Sequence, residues 1–207
     1  QQAAFPGLAR SWRERPEAGR RALDALVRVL VLGLLPVAIG ATVLSKPLVG
    51  WLFPPEFAPA SWLLAVGIWR APLLTLAFLY QNARIALNRQ AVGARPLVLG
   101  AMGAIPLVAG LGWMFGLPGA AAATLVIGLA LAVTGYSNLA AEGRAPAWHH
   151  HLARPLIATA VMVPVCLSLA RFHVLLGVLG GALTYLLALF LQRGLQAEDL
   201  KVLLGRA

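Results

Sequence analysis

The sequence predicts an all-α protein that crosses a membrane six times. Of its 207 residues, 60% are hydrophobic, and only 17 basic and 7 acidic side chains are present. The longest uncharged run extends from the residue after Arg95 to the residue before Glu142. A helix rises about 1.5 Å per residue and the hydrocarbon core of a bilayer is about 30 Å thick. That run is therefore long enough for two crossings, and no soluble domain of this size could bury it.

Charged residues delimit the first two predicted spans. Arg28 and Lys46 enclose an uncharged stretch, 29–45, which forms the first span. Glu56 and Arg84 enclose a longer stretch, 57–83, which contains one charge, Arg70, and forms the second.

The third and fourth spans come from the long uncharged run, in which residues 116–119 (GLPG) supply the turn of a helical hairpin. Arg154 and Arg171 enclose the fifth span, and His173 and Arg193 enclose the sixth. Both are near the minimum length of a transmembrane helix, and they cross the bilayer if the long flanking side chains snorkel to its surface.

These spans predict three regions: a cytoplasmic connector (1–22), a six-helix transmembrane region (23–193) and a cytoplasmic tail (194–207). The chain starts at Gln1 without the basic, apolar and small-residue pattern of a signal peptide. We therefore expect a further N-terminal part of the same protein to precede the connector.

The basic residues predict that both termini are cytoplasmic, because short cytoplasmic loops accumulate Lys and Arg. Lys46 and Arg171 lie in the loops of one side, and 13 basic residues lie in the termini and loops of the other. This asymmetry and attraction to anionic membrane lipids explain the net charge of +10 without a nucleic-acid partner.

Little in the sequence indicates catalysis. The acidic residues lie in loops or at span ends, none paired with histidine at metal-ligand spacing. A run of three histidines, 149–151, is interpreted as a solvated cap of the fifth span, because consecutive residues point in different directions around a helix. Cys166, the single cysteine, is interpreted as a small core residue. We expect no enzyme activity, no catalytic residues, no metal and no cofactor.

Small residues and prolines shape the spans. Gly177 and Gly181 have the small-xxx-small spacing that lets membrane helices pack closely. Prolines interrupt four spans, as expected where helices bend around a cavity: Pro36, Pro72, Pro106 and Pro164.

Arg70 is the charge deepest inside a predicted span. An apolar, lipid-facing position is unfavourable for it by about 2.5 to 3.5 kcal/mol, so it should face water or a partner. At about 100° per residue, Gln81, Arg84 and Asn88 lie in nearly the same direction around the helix. Such a stripe suits an anionic group, for example a diphosphate or an acidic sugar. Alternatively, Arg70 is a structural tie to backbone carbonyls at Pro72 or to a carboxylate outside this chain.

Several segments resemble one family of transporters: 5–10 (FPGLAR), 34–40 (LLPVAIG), 48–53 with 56–60 (EFAPA), 87–90 (LNRQ) and 116–124 (GLPGAAAAT). Taken with the Arg-rich connector, they resemble the second half of Wzx-type bacterial polysaccharide flippases. These belong to the multidrug/oligosaccharidyl-lipid/polysaccharide exporter superfamily. The resemblance covers nearly the whole chain and consists of packing and turn patterns.

The resemblance implies that the six helices are the C-terminal lobe of a two-lobed transporter in the bacterial inner membrane. Its partners would be the N-terminal lobe, membrane lipids and the substrate, a polyprenyl-diphosphate-linked oligosaccharide for cell-surface polysaccharides such as O-antigen or exopolysaccharide. Arg70 would line the cavity. A lipid II flippase or a drug/cation exporter would share the fold. Two readings of a different class also fit: a membrane-embedded glycosyltransferase or acyltransferase subunit that uses residues 149–151, and a structural assembly module without transport.

Overall fold

The computed structural model describes residues 16–87, 90–146 and 149–192, and over these residues the chain is helical without a β-strand. The all-α class predicted from the sequence is thus confirmed for this part of the chain. In chain order the helices are α1 (Pro16–Val43), α2 (Ser45–Leu52), a 3₁₀-helix (Pro55–Ala60), α3 (Ser61–Gly67), α4 (Arg70–Ala86), α5 (Gln90–Ala141), α6 (His149–Ala170) and α7 (Val174–Leu191).

Five helical segments are long and apolar enough to cross a membrane, or six when the two halves of α5 are counted separately. Their bounds are Gly19–Val43, Pro55–Ala86, Gly100–Ala141, Leu152–Ala170 and Val174–Leu191. These segments coincide with the predicted spans, which confirms that the chain has the helices of a polytopic membrane protein.

The first helix includes the end of the predicted connector. The connector is predicted to extend to residue 22, and α1 already contains residues 16–22. Arginine is a good helix former. The charges of Arg20 and Arg21 therefore mark where the apolar span begins without interrupting the helix.

Helix α5 is a hairpin of two arms, which we call its first and second arm, before and after Gly116. Gly116 adopts φ 64° and ψ −147°, a conformation that only glycine adopts readily. A Cβ placed on Gly112 would lie 3.7 Å from Ala120 Cβ, and one on Gly100 would lie 3.0 Å from Leu131. Gly112 faces Ala120 near the turn, and Gly100 faces Leu131 further from it. The two arms therefore run in opposite directions. The hairpin predicted at residues 116–119 is confirmed.

The described residues divide into two compact units. The first unit contains residues 16–30, 72–87 and 90–146, and the second contains residues 31–71 and 149–192. In the first unit, a Cβ on Gly128 would lie 3.3 Å from Leu73 Cβ, and one on Gly135 would lie 2.9 Å from Tyr80 Cβ. From the first pair to the second, the position on α4 advances from Leu73 to Tyr80 and the position on α5 advances from Gly128 to Gly135. Helix α4 therefore runs parallel to the second arm of α5, in close contact with it.

The core of the second unit forms where α6 and α7 pack against part of α1. Its buried residues are Leu32, Leu44, Ala158, Met162, Cys166, Tyr185 and Leu189. A Cβ added to Gly181 would overlap Cys166 Sγ, and one added to Gly177 would lie 2.8 Å from Ala170 Cβ. The small-xxx-small glycines thus allow α7 to approach α6, and Cys166, 3% exposed, is a packed core residue as predicted.

A tyrosine hydroxyl compensates for the proline within α1. Pro36 has no N–H, so the carbonyl of Leu32, four residues earlier, lacks its helical donor. The Tyr185 hydroxyl of α7 donates a hydrogen bond of 2.6 Å to that carbonyl oxygen. Leu32 and Tyr185 are 9% and 6% exposed, so a carbonyl left without this donor would be shielded from water. The bond satisfies the proline site and fixes α7 against α1 within the second unit.

Candidate functional site

Arg70 lies in the middle of the apolar segment Pro55–Ala86 and is exposed. No residue in the most apolar part of this segment is fully buried within the chain. A guanidinium group in the middle of a membrane span is unfavourable in hydrocarbon, so it requires a water-filled path or a partner. The position predicted from the sequence as the deepest charge is therefore open to an external group.

The span is interrupted immediately before Arg70. Helix α3 ends at Gly67 and α4 begins at Arg70, with a turn at Ile68 and Trp69 between them. The Ile68 amide donates to Leu64 O at 3.1 Å, and the Trp69 amide donates to Val66 O at 3.2 Å. The tightened turn therefore keeps these backbone groups satisfied, as membrane depth requires.

Pro72 explains why the helix tightens there. In a regular α-helix the residue 72 amide would donate to Ile68 O, but proline has no N–H. The Ala71 amide instead donates to that oxygen at 3.1 Å. The proline thus shifts one bond to the shorter 3₁₀ pattern, and Arg70 lies inside the altered turn.

Thr42 of α1 holds this break in place. Its hydroxyl lies 2.8 Å from Ala38 O and 3.0 Å from Ala65 O, and the Trp69 indole N–H donates to it at 3.1 Å. A hydroxyl has one proton, so it donates to one carbonyl at a time while it accepts from the indole. The residue before Arg70 is consequently anchored to α1 within the second unit. No periodic pattern in the sequence indicates Thr42, although a threonine inside an apolar span is typical of hydrogen bonding to another helix.

The stripe residues Gln81, Arg84 and Asn88 do not share the environment of Arg70. Gln81 is half-buried, whereas Arg84 is only 2% exposed. Arg84 Nε has no hydrogen-bond partner within residues 16–87, 90–146 and 149–192. Asn88 lies outside the described residues. The structure therefore exposes the Arg70 end of the predicted stripe and encloses Arg84 in the first unit.

The surroundings of Arg84 are built by close helix packing. Tyr80, one turn earlier, is 4% exposed, and its ring centroid lies 6.1 Å from that of Tyr136 on the second arm of α5. Gly135 allows this contact, because any side chain there would press on Tyr80 Cβ. Arg84 is also in the last turn of α4, where the helix dipole favours a cation.

The chemistry that these residues offer is charge-assisted hydrogen bonding from guanidinium groups, which suits an anionic ligand. No group of three or more His, Cys, Asp or Glu side chains suited to a metal ion occurs among the residues that the structure describes. The side chains of the predicted histidine cap, 149–151, lie outside the described part of the chain. Arg70, exposed in the middle of its span, is therefore a candidate binding position for an anion.

A scan against protein-family models finds no match to this chain, and a search of curated proteins finds none either.

Proposed function

We propose that the chain is one lobe of a transporter that moves a polyprenyl-diphosphate-linked oligosaccharide across the bacterial inner membrane, for cell-surface polysaccharide synthesis. The observation that carries the proposal is Arg70, an exposed arginine in the middle of an apolar span. The resemblance to Wzx-type flippases supports a substrate class that suits this residue.

The chemistry of such a substrate matches the position of Arg70. Its glycan is too polar for hydrocarbon and needs a water-filled path, whereas its prenyl tail stays in lipid. Its diphosphate carries the negative charge that a forked guanidinium donor recognises. Arg70 would therefore contact the diphosphate while it passes the middle of the membrane.

Gln81 and Arg84 on α4, and Asn88 further along the chain, would continue this pathway towards the cytoplasm. Arg84 Nε has no acceptor within the described residues, and the side chain is only 2% exposed, so an anion would reach it only when the surrounding helices separate. A buried donor of a charged group is costly to leave unsatisfied, which favours a role in which an anion approaches it.

A facing lobe completes the proposed transporter. No residue in the most apolar part of the Arg70 span is fully buried within this chain, so part of its surface remains for lipid and for a second lobe. Lobes that rock against each other would expose the site alternately to the two sides. In this arrangement both termini of the chain are cytoplasmic, as the distribution of basic residues predicts.

Transport of a fluorescent polyprenyl-diphosphate-linked oligosaccharide tests the proposal, with the intact protein in vesicles. Arg70→Ala should abolish flipping or strongly reduce it, and Arg70→Lys should restore only part, because a point charge replaces a forked donor. Arg171→Ala is the matched control, since it removes an exposed arginine at the turn between α6 and α7.

The amount of folded protein must be measured for each variant. A purely structural role of Arg70 predicts loss of folded protein in place of lost transport. If the Arg70→Leu variant accumulates normally and flips the substrate at the parental rate, the proposed pathway is ruled out.

A further inference from the structure

A cavity of about 500 Å³ lies at one end of the first unit. It is lined by Glu17, Arg20, Arg21, Glu142, Gly143 and Arg144. The first three belong to the start of α1 and the others to the turn after α5. Its volume falls within the range of about 300 to 1,000 Å³ typical of small-molecule sites.

The cavity lies where two membrane spans end. The apolar segment of α1 starts at Gly19, and the segment that contains the second arm of α5 stops at Ala141. Charged side chains next to span ends lie at the depth of lipid headgroups. A ligand of this cavity would thus be in reach of the membrane surface.

The end of α5 sets the position of Arg144. Gly143 has φ 68°, its amide donates to Ala140 O at 2.9 Å, and the Arg144 amide donates to Leu139 O at 2.9 Å. These two bonds and the left-handed glycine form a Schellman motif, which ends the helix with its carbonyls satisfied. Arg144 Nη1 then donates to Glu142 Oε2 at 3.1 Å. The turn is thereby well defined, and Glu142 is partly neutralised.

The α1 side of the cavity supplies the remaining charges. Arg20 and Arg21 are exposed guanidinium groups, and Glu17, one turn earlier, is an exposed carboxylate. Glu17 is three positions from Arg20 and four from Arg21, which makes it a neighbour of both on the helix surface, and all three residues line the cavity. The lining therefore offers two forked cationic donors beside one anionic acceptor.

We propose that this cavity binds the headgroup of a phospholipid that carries a primary ammonium group, of the phosphoethanolamine type. Arg20 and Arg21 bind the phosphodiester through charge-assisted hydrogen bonds, and Glu17 accepts hydrogen bonds from the ammonium. A choline headgroup has the same charges but no N–H to donate. Comparison of the two headgroups isolates the role of Glu17, and the site does not depend on the transport proposed above.

Lipid retention measured by native mass spectrometry tests the inference on the purified full chain. The probes are phosphatidylethanolamine, phosphatidylcholine and phosphatidylglycerol with identical acyl chains. The unaltered protein should retain the ethanolamine lipid about tenfold better than the choline lipid, the factor expected from one charge-assisted hydrogen bond. Equal retention of these two lipids, or preference for the glycerol lipid, would overturn the proposal.

Variants assign the contacts within the cavity. Glu17→Gln should reduce ethanolamine retention to the choline level, whereas Arg20→Gln with Arg21→Gln should reduce retention of all three lipids. Arg171→Gln, which removes a cation outside the cavity, should change nothing. If the double variant does not fold, Glu17→Gln alone decides, and an unchanged lipid preference in that variant contradicts the inference.

Free inorganic phosphate distinguishes a lipid site from a general phosphate site. It lacks the ammonium and the membrane anchor, so millimolar phosphate should leave the bound ethanolamine lipid in place. Displacement of the lipid by phosphate at that concentration would assign the cavity to a soluble anion and refute the lipid site.

Discussion

The hydrogen bond from Tyr185 to Leu32 gives the sharpest test of how the second unit is held together. Tyr185→Phe removes only the hydroxyl that donates at 2.6 Å to the Leu32 carbonyl. The missing N–H of Pro36 leaves that carbonyl without a helical donor. An unsatisfied buried polar group costs about 1 to 3 kcal/mol, and hydrogen bonds between membrane helices reach about 1.7 kcal/mol. We expect the free energy of unfolding to fall by about 1 to 2 kcal/mol.

A double-mutant cycle identifies the cause. In a Pro36→Ala background the residue 36 amide can donate to Leu32, so the hydroxyl becomes largely redundant. Tyr185→Phe should then cost less than about 0.5 kcal/mol, a difference that measures the coupling between the two sites.

Reversible unfolding in mixed micelles of increasing dodecyl sulfate content is a suitable assay. Tyr80→Phe is the control, because Tyr80 is similarly buried, at 4% exposure, but belongs to the first unit. Tyr80→Phe should change the free energy of unfolding by the same amount with Pro36 and with Ala at position 36. If Tyr185→Phe also lowers the free energy of unfolding equally in the two backgrounds, the reasoning is refuted.

Three further predictions concern packing and topology. Gly181→Ala should destabilise the fold by about 1 to 3 kcal/mol, because its Cβ overlaps the sulfur of Cys166, and Cys166→Ala should recover much of that loss in a thermal-stability assay. Gly119→Ala should disrupt the α5 hairpin, because its Cβ overlaps a carbonyl of the facing arm, whereas Gly110→Ala, with no atom within 4 Å, should leave the yield of folded protein unchanged or raise it. A cysteine introduced at Pro54 in a Cys166→Ala background should react with an impermeant maleimide from outside the cell, and reaction only from the cytoplasm would reverse the predicted topology.

The helices are predictable from the sequence because their signals are local. Apolar runs of bilayer length locate the spans, and glycines with proline locate the α5 turn. Helix starts are predicted less accurately, since α1 continues through Arg20 and Arg21, which precede its apolar residues.

Contacts between distant segments are predictable only in part. Pro36 predicts an unsatisfied carbonyl at Leu32, yet nothing in the sequence indicates that the donor is Tyr185, 153 residues away. Burial of Arg84 was not predicted either, because a charge at a span end is usually solvated. The cost of placing a cation in hydrocarbon predicts that Arg70 faces water or a partner, and in the structure its side chain is exposed on this chain.

Water accessibility of position 70 tests the proposed anion pathway most directly. In a Cys166→Ala background, Arg70→Cys should react with a small charged methanethiosulfonate reagent, because the proposed pathway is filled with water at this depth. Phe78, 56% exposed on the same helix, is the control, and Phe78→Cys should react only with a membrane-permeant maleimide. If the cysteine at position 70 also reacts only with the permeant reagent, this face of α4 contacts lipid and no anion pathway runs along it.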